Sequence, residues 1–192
     1  TGDDPDAMSK PNAFLPGERV YLRPLVPEDA SGPYLSWFND PEVNAENGHH
    51  YWPFTPQEAA AYIERTATVR DEVTFAVAAV DDDRHIGNVT LKRINPISQS
   101  AEFAIIIGDK SVWGKGYGKE IGRLVLDYAF DVLNLRRVHC ATFETNVGMK
   151  KLALYLGMRE EGRRRQAAFK SSRYLDIIEY GVLKAEYEAS KQ

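Results

Sequence analysis

Apolar positions recur at two spacings along this chain, and the spacing changes where proline, glycine or clustered acids interrupt it. RVYLRP, residues 19–24, alternates as a strand does. Pro27 with Glu28 and Asp29 suits a first helical turn, because proline loses no hydrogen bond there and acids meet the helix dipole. That helix is expected to end near Asn39, stopped by Asp40 and Pro41. After the aromatic loop HHYWPF, 49–54, Thr55, Pro56 and Glu58 supply a cap, a preset φ and a capping-box partner for a helix to about Arg70. VTFAVAAV (73–80) and IGNVTLKRI (86–94) flank the turn-like DDDRH as a hairpin, and AEFAIIIG (101–108) makes a third consecutive strand. Ile121, Leu124, Val125, Tyr128, Ala129, Val132 and Leu133 fall at helical spacing and predict one long apolar stripe. RVHCATF (137–143) is the next strand and VGMKKLALYL (147–156) a helix closed by Gly157. Strands near 159–169 and 174–184 complete the order β α α β β β α β α β β. Mixed helices and strands around a central hairpin predict an α+β fold, with one parallel pair beside the long helix.

Length and composition narrow this further. A chain of 192 residues, 43% apolar, suits one domain. Residues 8–192 are taken as that domain, and the acidic TGDDPDA before Met8 as a remnant of expression. A net charge of −4 argues against a general nucleic-acid binder, which carries a basic footprint. The lone Cys140 allows no internal disulfide and fits a reducing compartment. No apolar run reaches the ~18 residues of a membrane span, and the acidic start is unlike a signal peptide, so a cytoplasmic chain without membrane partner is expected. His49 and His50 lack the spacing of a helical metal pair and no other cluster completes a site, so no metal is implied.

The stretch SVWGKGYGKEIG, 111–122, sets glycines at 114, 116 and 118 between a strand and a helix. Such a junction leaves backbone N–H groups pointing outward at the positive end of a helix dipole, which suits an anion; the alternative is a tight turn. Two nucleotide motifs are excluded. A Walker loop needs a hydroxyl after Gly118-Lys119, where Glu120 stands, and a dinucleotide G-x-G-x-x-G needs glycine where Lys119 or Ile121 stands. What remains resembles the GNAT superfamily of acetyl-CoA-dependent N-acetyltransferases, whose pyrophosphate loop reads [Arg/Gln]-x-x-Gly-x-[Gly/Ala]. Gly116 and Gly118 match its last two places, while Trp113 stands at the first, as in the branch of ribosomal-protein alanine, polyamine and nucleotide-aminosugar N-acetyltransferases. NVGMKKLALYLGM, 146–158, is similar to the family's second block, with Asn146 and Gly157 matching, Met149 at its small position and Ala153 where many members carry a general-acid tyrosine.

The resemblance implies a central, mixed, mostly antiparallel sheet of seven strands flanked by four helices, with acetyl-CoA as co-substrate. It assigns cofactor contacts to Trp113, Gly114, Lys115, Gly116, Tyr117, Gly118, Lys119, Asn146 and Met149. A backbone N–H at a bulge near Ile106 or Ile107 would polarise the thioester carbonyl. An alkyl ammonium must lose a proton before attack, and Glu102 is the candidate acceptor, or else a solvent-facing strand residue. Tyr155, about 200° around the helix from position 153, is either a substitute acid or a packing residue. Cys140 reads as a core thiol, since His139 beside it points to the opposite face and cannot serve it as base. The run Arg163 to Arg165 is either an anion contact or a solvated strand face. Acceptor choice is assigned to Trp37, Asn39, Asp40, His50 and Tyr51, for which aromatic core packing is the alternative. The expected acceptor is a small-molecule amine or a protein N-terminus, attacked directly in a ternary complex, and homodimers are frequent in the family. The rival reading is an acyl-CoA-binding sensor that lost its chemistry, motivated by Ala153 and Trp113.

Overall fold

The computed structural model describes residues 12–191, so the expectations for residues 1–7 and for a start at Met8 lie outside the described residues. The elements are β1 (Leu15–Pro16), β2 (Val20–Pro24), a 3-10 turn (Pro27–Ser31), α1 (Tyr34–Asn39), α2 (Pro56–Thr66), β3 (Val73–Ala79), β4 (His85–Asn95) and β5 (Ser100–Ile107). After a 3-10 turn at Lys110–Val112 come α3 (Tyr117–Asp127), β6 (Arg137–Phe143), α4 (Val147–Tyr155), β7 (Arg159–Lys170), β8 (Arg173–Leu183) and α5 (Lys184–Ser190). The strands form one sheet in the order β1-β2-β3-β4-β5-β6-β8-β7. β5 and β6 are its parallel pair, and the other neighbours run antiparallel.

Side-chain alternation gives the sheet two apolar faces. Phe75, Val77, Val89, Leu91 and Phe103 join the buried core under α3 and α4, with Ile121, Val125, Leu126 and Leu156. The opposite face carries a smaller core, in which Tyr34, Trp37, Ala59 and Ile63 of α1 and α2 pack with Ile106. Full burial of each large aliphatic is worth roughly 1.5–3 kcal/mol, so both helical layers are held by the same sheet from opposite sides.

Several boundaries differ from expectation. The first helix is broken at Gly32-Pro33 into a 3-10 turn and α1. The Thr55 capping box forms as read, with Glu58 N–H donating to Thr55 Oγ1 at 3.2 Å, but α2 ends at Thr66. The long helix passes into a π turn at Tyr128–Val132, where Leu133 N–H donates to Tyr128 O at 3.0 Å. The wider turn rotates the stripe, burying Phe130 and leaving Val132 exposed. β1 and α5 were not expected: one is two residues long, and the other buries a single large side chain, Tyr187.

Candidate active site

The parallel pairing of β5 with β6 covers only Ser100↔Arg137, Ala101↔Val138 and Glu102↔His139, and then the strands part. On its other side β5 stays in one-to-one register with β4 from Lys92↔Glu102 to Gly87↔Ile107, so the expected bulge near Ile106 is absent. Open amides arise from the parting of the strands instead. Gly108 N–H donates to Ile86 O at 3.0 Å, so by alternation the Ile105 and Ile107 amides face the gap. The Ile107 carbonyl, on the same edge, accepts from Trp113 Nε1 at 2.8 Å. Trp113 thus ties the glycine loop to the open strand.

The loop itself has the conformation its glycines suggest. Gly114 and Gly116 have φ of +73° and +83°, which side chains rarely adopt. Gly116 is the N-cap of α3, and among the described residues no side chain caps that end; Lys119 N–H donates to Gly116 O at 3.1 Å, which leaves the Tyr117 and Gly118 N–H groups open. Gly118 differs: its φ is ordinary, and a Cβ there would meet nothing nearer than Ile107 Cδ1 and Leu152 Cδ2 at 3.7 Å. The fold does not require glycine at 118. Arg19 braces the loop, donating to Lys115 O at 2.9 Å, stacking over Tyr117 at 4.6 Å and pairing with Glu120 at 3.1 Å. These features suit an anion, such as a phosphate, at the loop amides of 116–118.

A continuous cavity of about 950 Å³ runs from this loop past Ile105 to Ile107 to the residues joining α1 and α2. Trp113, Gly114, Gly116, Tyr117, Gly118, Lys119, Asn146, Met149, Glu102, Ile106 and Ile107 all line it. Tyr155 does not. It lies outside, with Lys119 Nζ and Arg123 4.6 and 4.8 Å from its ring centroid, while Ala153 is buried in the main core. Asn146 caps α4 through Met149 N–H at 2.9 Å and donates to Glu46 O at 2.9 Å, so its amide is engaged in holding loop to helix. Glu102 is held by Lys92 at 3.1 Å and Arg93 at 2.7 Å, so both carboxylate oxygens carry a cation.

The residues expected to choose the acceptor sit mainly behind the cavity. Trp37 is buried over Gly108, where a Cβ would approach the indole to 1.9 Å. Asn39 clamps Phe54, accepting from its N–H at 2.9 Å and donating to its carbonyl at 2.7 Å. Asp40 closes α1 and holds Lys110 at 2.8 Å; that cation draws its carboxyl below the ordinary range, burial opposes it, and the N–H groups of Glu42 and Val43 add to the lowering. His50 takes a φ of +64° beside the cavity, and Tyr51 donates to Phe169 O at 2.7 Å, fastening this loop to the tip of the β7–β8 hairpin. Cys140 is 1% exposed against Met158, and burial pushes its thiol up to about 12, which removes it as a nucleophile. Arg163 pairs with Glu144 and Asp176, and Arg164 with Glu179. Among the described residues no cluster could hold a metal ion, and no helix is long and apolar enough to cross a membrane.

The cavity also takes in residues that sequence reasoning missed: Glu42 and Glu46 before α2, Tyr62 and Arg65 on it, and Glu72, Thr74, Asn88 and Thr90 on or beside the sheet. The end of the cavity away from the glycine loop is therefore rich in carboxylates. Residues 19–159 match the family model described as "Acetyltransferase (GNAT) domain", which spans well over half the chain. The chain belongs to the GNAT acetyltransferase family. Among relatives of this N-acetyltransferase, the spermidine N(1)-acetyltransferase of Vibrio cholerae is 31% identical over 147 residues, covering 75% of this chain and 84% of the relative. The solved structure of the Vibrio cholerae spermidine N-acetyltransferase in complex with CoA and spermine matches with a TM-score of 0.81 at 27% identity, covering 90% of this chain and 99% of that one. A dodecameric structure of that enzyme matches with a TM-score of 0.77 at 26% identity, over 92% of this chain and 100% of that one. The GNAT fold and the acetyl-CoA-dependent N-acetylation expected from the glycine loop agree with these likenesses.

Proposed function

We propose that the chain transfers the acetyl group of acetyl-CoA to a primary amine of a small, cationic acceptor, by direct attack within a ternary complex. The observation that carries this is the single cavity joining the α3 N-terminus, the open edge of β5 and a mouth rich in carboxylates. The co-substrate supplies a thioester whose carbonyl carbon is attacked. The chain's own part is to hold phosphates on the amides of 116–118 and to offer the Ile105 and Ile107 N–H groups to the carbonyl oxygen. Among the cavity carboxylates, Glu46 accepts from the Thr145 hydroxyl and meets no cation among the described residues, which suits it to receive the acceptor's charge. The polyamine named for the CoA-bound neighbour supports the same acceptor class.

Ala153 in the core and Tyr155 outside the cavity leave no tyrosine of α4 as acid. Thiols titrate at ~8.5, so the leaving thiolate is stable enough to depart without one. Ala153 and Trp113 motivate the sensor reading, which predicts binding without turnover. Calorimetry with acetyl-CoA and thiol release over spermidine, spermine, an aminosugar and a peptide N-terminus separate the two. Turnover is expected with the polyamines, and acetyl-CoA binding with no turnover on any amine would overturn the enzyme reading.

A further inference from the structure

A row of side chains crosses the sheet on its acceptor face: Thr74 of β3 opposes Thr90 of β4, which opposes Ala104 of β5. Beyond Ala104 lies the gap left by β6, and the small methyl leaves Thr90 facing the cavity. The hydroxyls are joined. Thr90 Oγ1 lies 3.0 Å from Thr74 Oγ1, and Thr74 donates to Glu72 Oε1 at 3.2 Å. Tyr62 of α2 makes a second branch, 2.9 Å from Thr74 Oγ1 and 2.9 Å from Glu72 Oε1.

We propose that this row carries the proton of the incoming ammonium from the cavity to Glu72. The proposal rests on the acetyltransferase reading above. An ionised carboxylate only accepts hydrogen bonds, so each hydroxyl in the chain turns its hydrogen toward Glu72. Thr90 is then left with oxygen lone pairs facing the cavity, ready to accept. In the transfer one N–H bond of the ammonium breaks as an O–H bond forms at Thr90. The Thr90 proton passes to Thr74 and the Thr74 proton to Glu72, while nitrogen keeps the electron pair that attacks carbon. Glu72 is neutral only until it passes the proton to solvent, which regenerates the carboxylate, and no further reagent is consumed.

The groups facing Glu72 suit this role. Arg65 of α2 donates to both its oxygens at 3.1 Å and opposes lasting protonation there, but its own side chain is 46% exposed, so the proton is passed on to solvent at this edge. Burial raises the Tyr62 phenol, the Thr74 bond partly offsets this and the Glu72 charge adds to it, so Tyr62 stays protonated as a donor. Tyr34 of α1 is held protonated by its own burial, and Asp71 acts on Arg65. Glu102, by contrast, faces Lys92 and Arg93, and among the described residues no hydroxyl chain leads to it.

The test compares kcat/KM for spermidine in Thr74→Val, Thr90→Val, Thr90→Ser and Tyr62→Phe, from about pH 6 toward the amine's own pKa of ~10. Valine keeps the shape and β preference of threonine and removes only the hydroxyl. Each valine variant is expected to lose ~10²-fold at neutral pH and to recover as the free amine becomes abundant, with acetyl-CoA affinity unchanged. Thr90→Ser should restore the rate, and Tyr62→Phe should be mild because the direct Thr74 to Glu72 bond remains. Wild-type rates in both valine variants, or a loss constant across pH, would overturn the relay while leaving the enzyme reading intact. A wild-type protein that acetylates no amine would overturn both.

Discussion

Gly114 and Gly118 belong to the loop proposed to cradle phosphate for different physical reasons, and substitutions separate them. At Gly114 the φ of +73° means that an alanine must adopt a left-handed conformation, at a cost of roughly 1–2 kcal/mol. At Gly118 the backbone is helical and the nearest atoms to a Cβ are 3.7 Å away, so alanine should be tolerated or stabilise the helix by up to about 1 kcal/mol. A methyl at 118 would nonetheless stand among the amides offered to phosphate. Gly118→Ala is therefore expected to keep or raise the melting temperature and to weaken acetyl-CoA binding, whereas Gly114→Ala lowers the melting temperature. Thermal melts and calorimetry read the two effects independently, and unchanged affinity in Gly118→Ala would remove that residue from the cradle. The loop was legible from its residues because the chemistry is local: glycine spacing and helix start are adjacent in the chain. Trp113 was legible only as a departure from the family pattern, since its bond to the Ile107 carbonyl depends on where β5 ends.

Among the elements, the segment from β2 to α1 depends on one buried ion pair. Asp29 reads in sequence as an acid at a helix start, but its carboxylate takes both forks of Arg23 at 2.8 Å, accepts from Val26 N–H at 2.9 Å and lies 3.3 Å from His85 Nδ1. Burial alone would raise its pKa; Arg23, then His85 and Val26, overcome that and hold it well below the ordinary carboxylate range. A folded pKa below the unfolded one gives stability that is present above the unfolded value of 3.8 and is lost as pH falls beneath it. Asp29→Asn, which leaves Arg23 buried without an anion, is expected to cost ~3–5 kcal/mol near neutral pH. The gap to wild type should narrow in denaturant titrations below about pH 4, and a gap independent of pH would show that the ionised carboxylate is not the source. Sequence pattern located most elements because alternation and helical spacing are set by near neighbours, as with the Thr55 capping box. It misplaced what is set from afar. The π turn that exposes Val132 follows from packing Phe130, and α5 folds because Tyr187 reaches Asp127 at 3.0 Å across the molecule.

At the scale of the molecule, the half of the cavity proposed to take the acceptor is assembled from segments far apart in sequence. Thr145 and Asn146, after β6, hold Glu46 before α2, and Lys170 on the β7–β8 hairpin donates to His49 O at 2.6 Å. This explains why acceptor residues were the least legible. Trp37, Asn39 and Asp40 were chosen for aromatic and polar character, and the fold uses them to brace the loop that carries Glu42 and Glu46. A usable signal lay elsewhere: Thr74 interrupts β3, which is otherwise apolar, and Asn88 and Thr90 interrupt the stretch from Ile86 to Leu91 of β4. Glu46 then decides whether the cavity is built for a cation. A charge-assisted hydrogen bond is worth ~1.5–3 kcal/mol, which corresponds to roughly 10- to 100-fold in binding. Glu46→Gln keeps the shape and the contact with Thr145 but removes the charge, so it should raise KM for spermidine by about tenfold or more and leave acetyl-CoA affinity unchanged. The effect should shrink as salt rises, since this carboxylate is only half-buried. A monoamine, which has no second cation beside its reacting nitrogen, should be nearly indifferent to the substitution. If KM for spermidine stays at the wild-type value, Glu46 does not face the acceptor, and the carboxylates Glu42 and Glu72 become the groups to replace next.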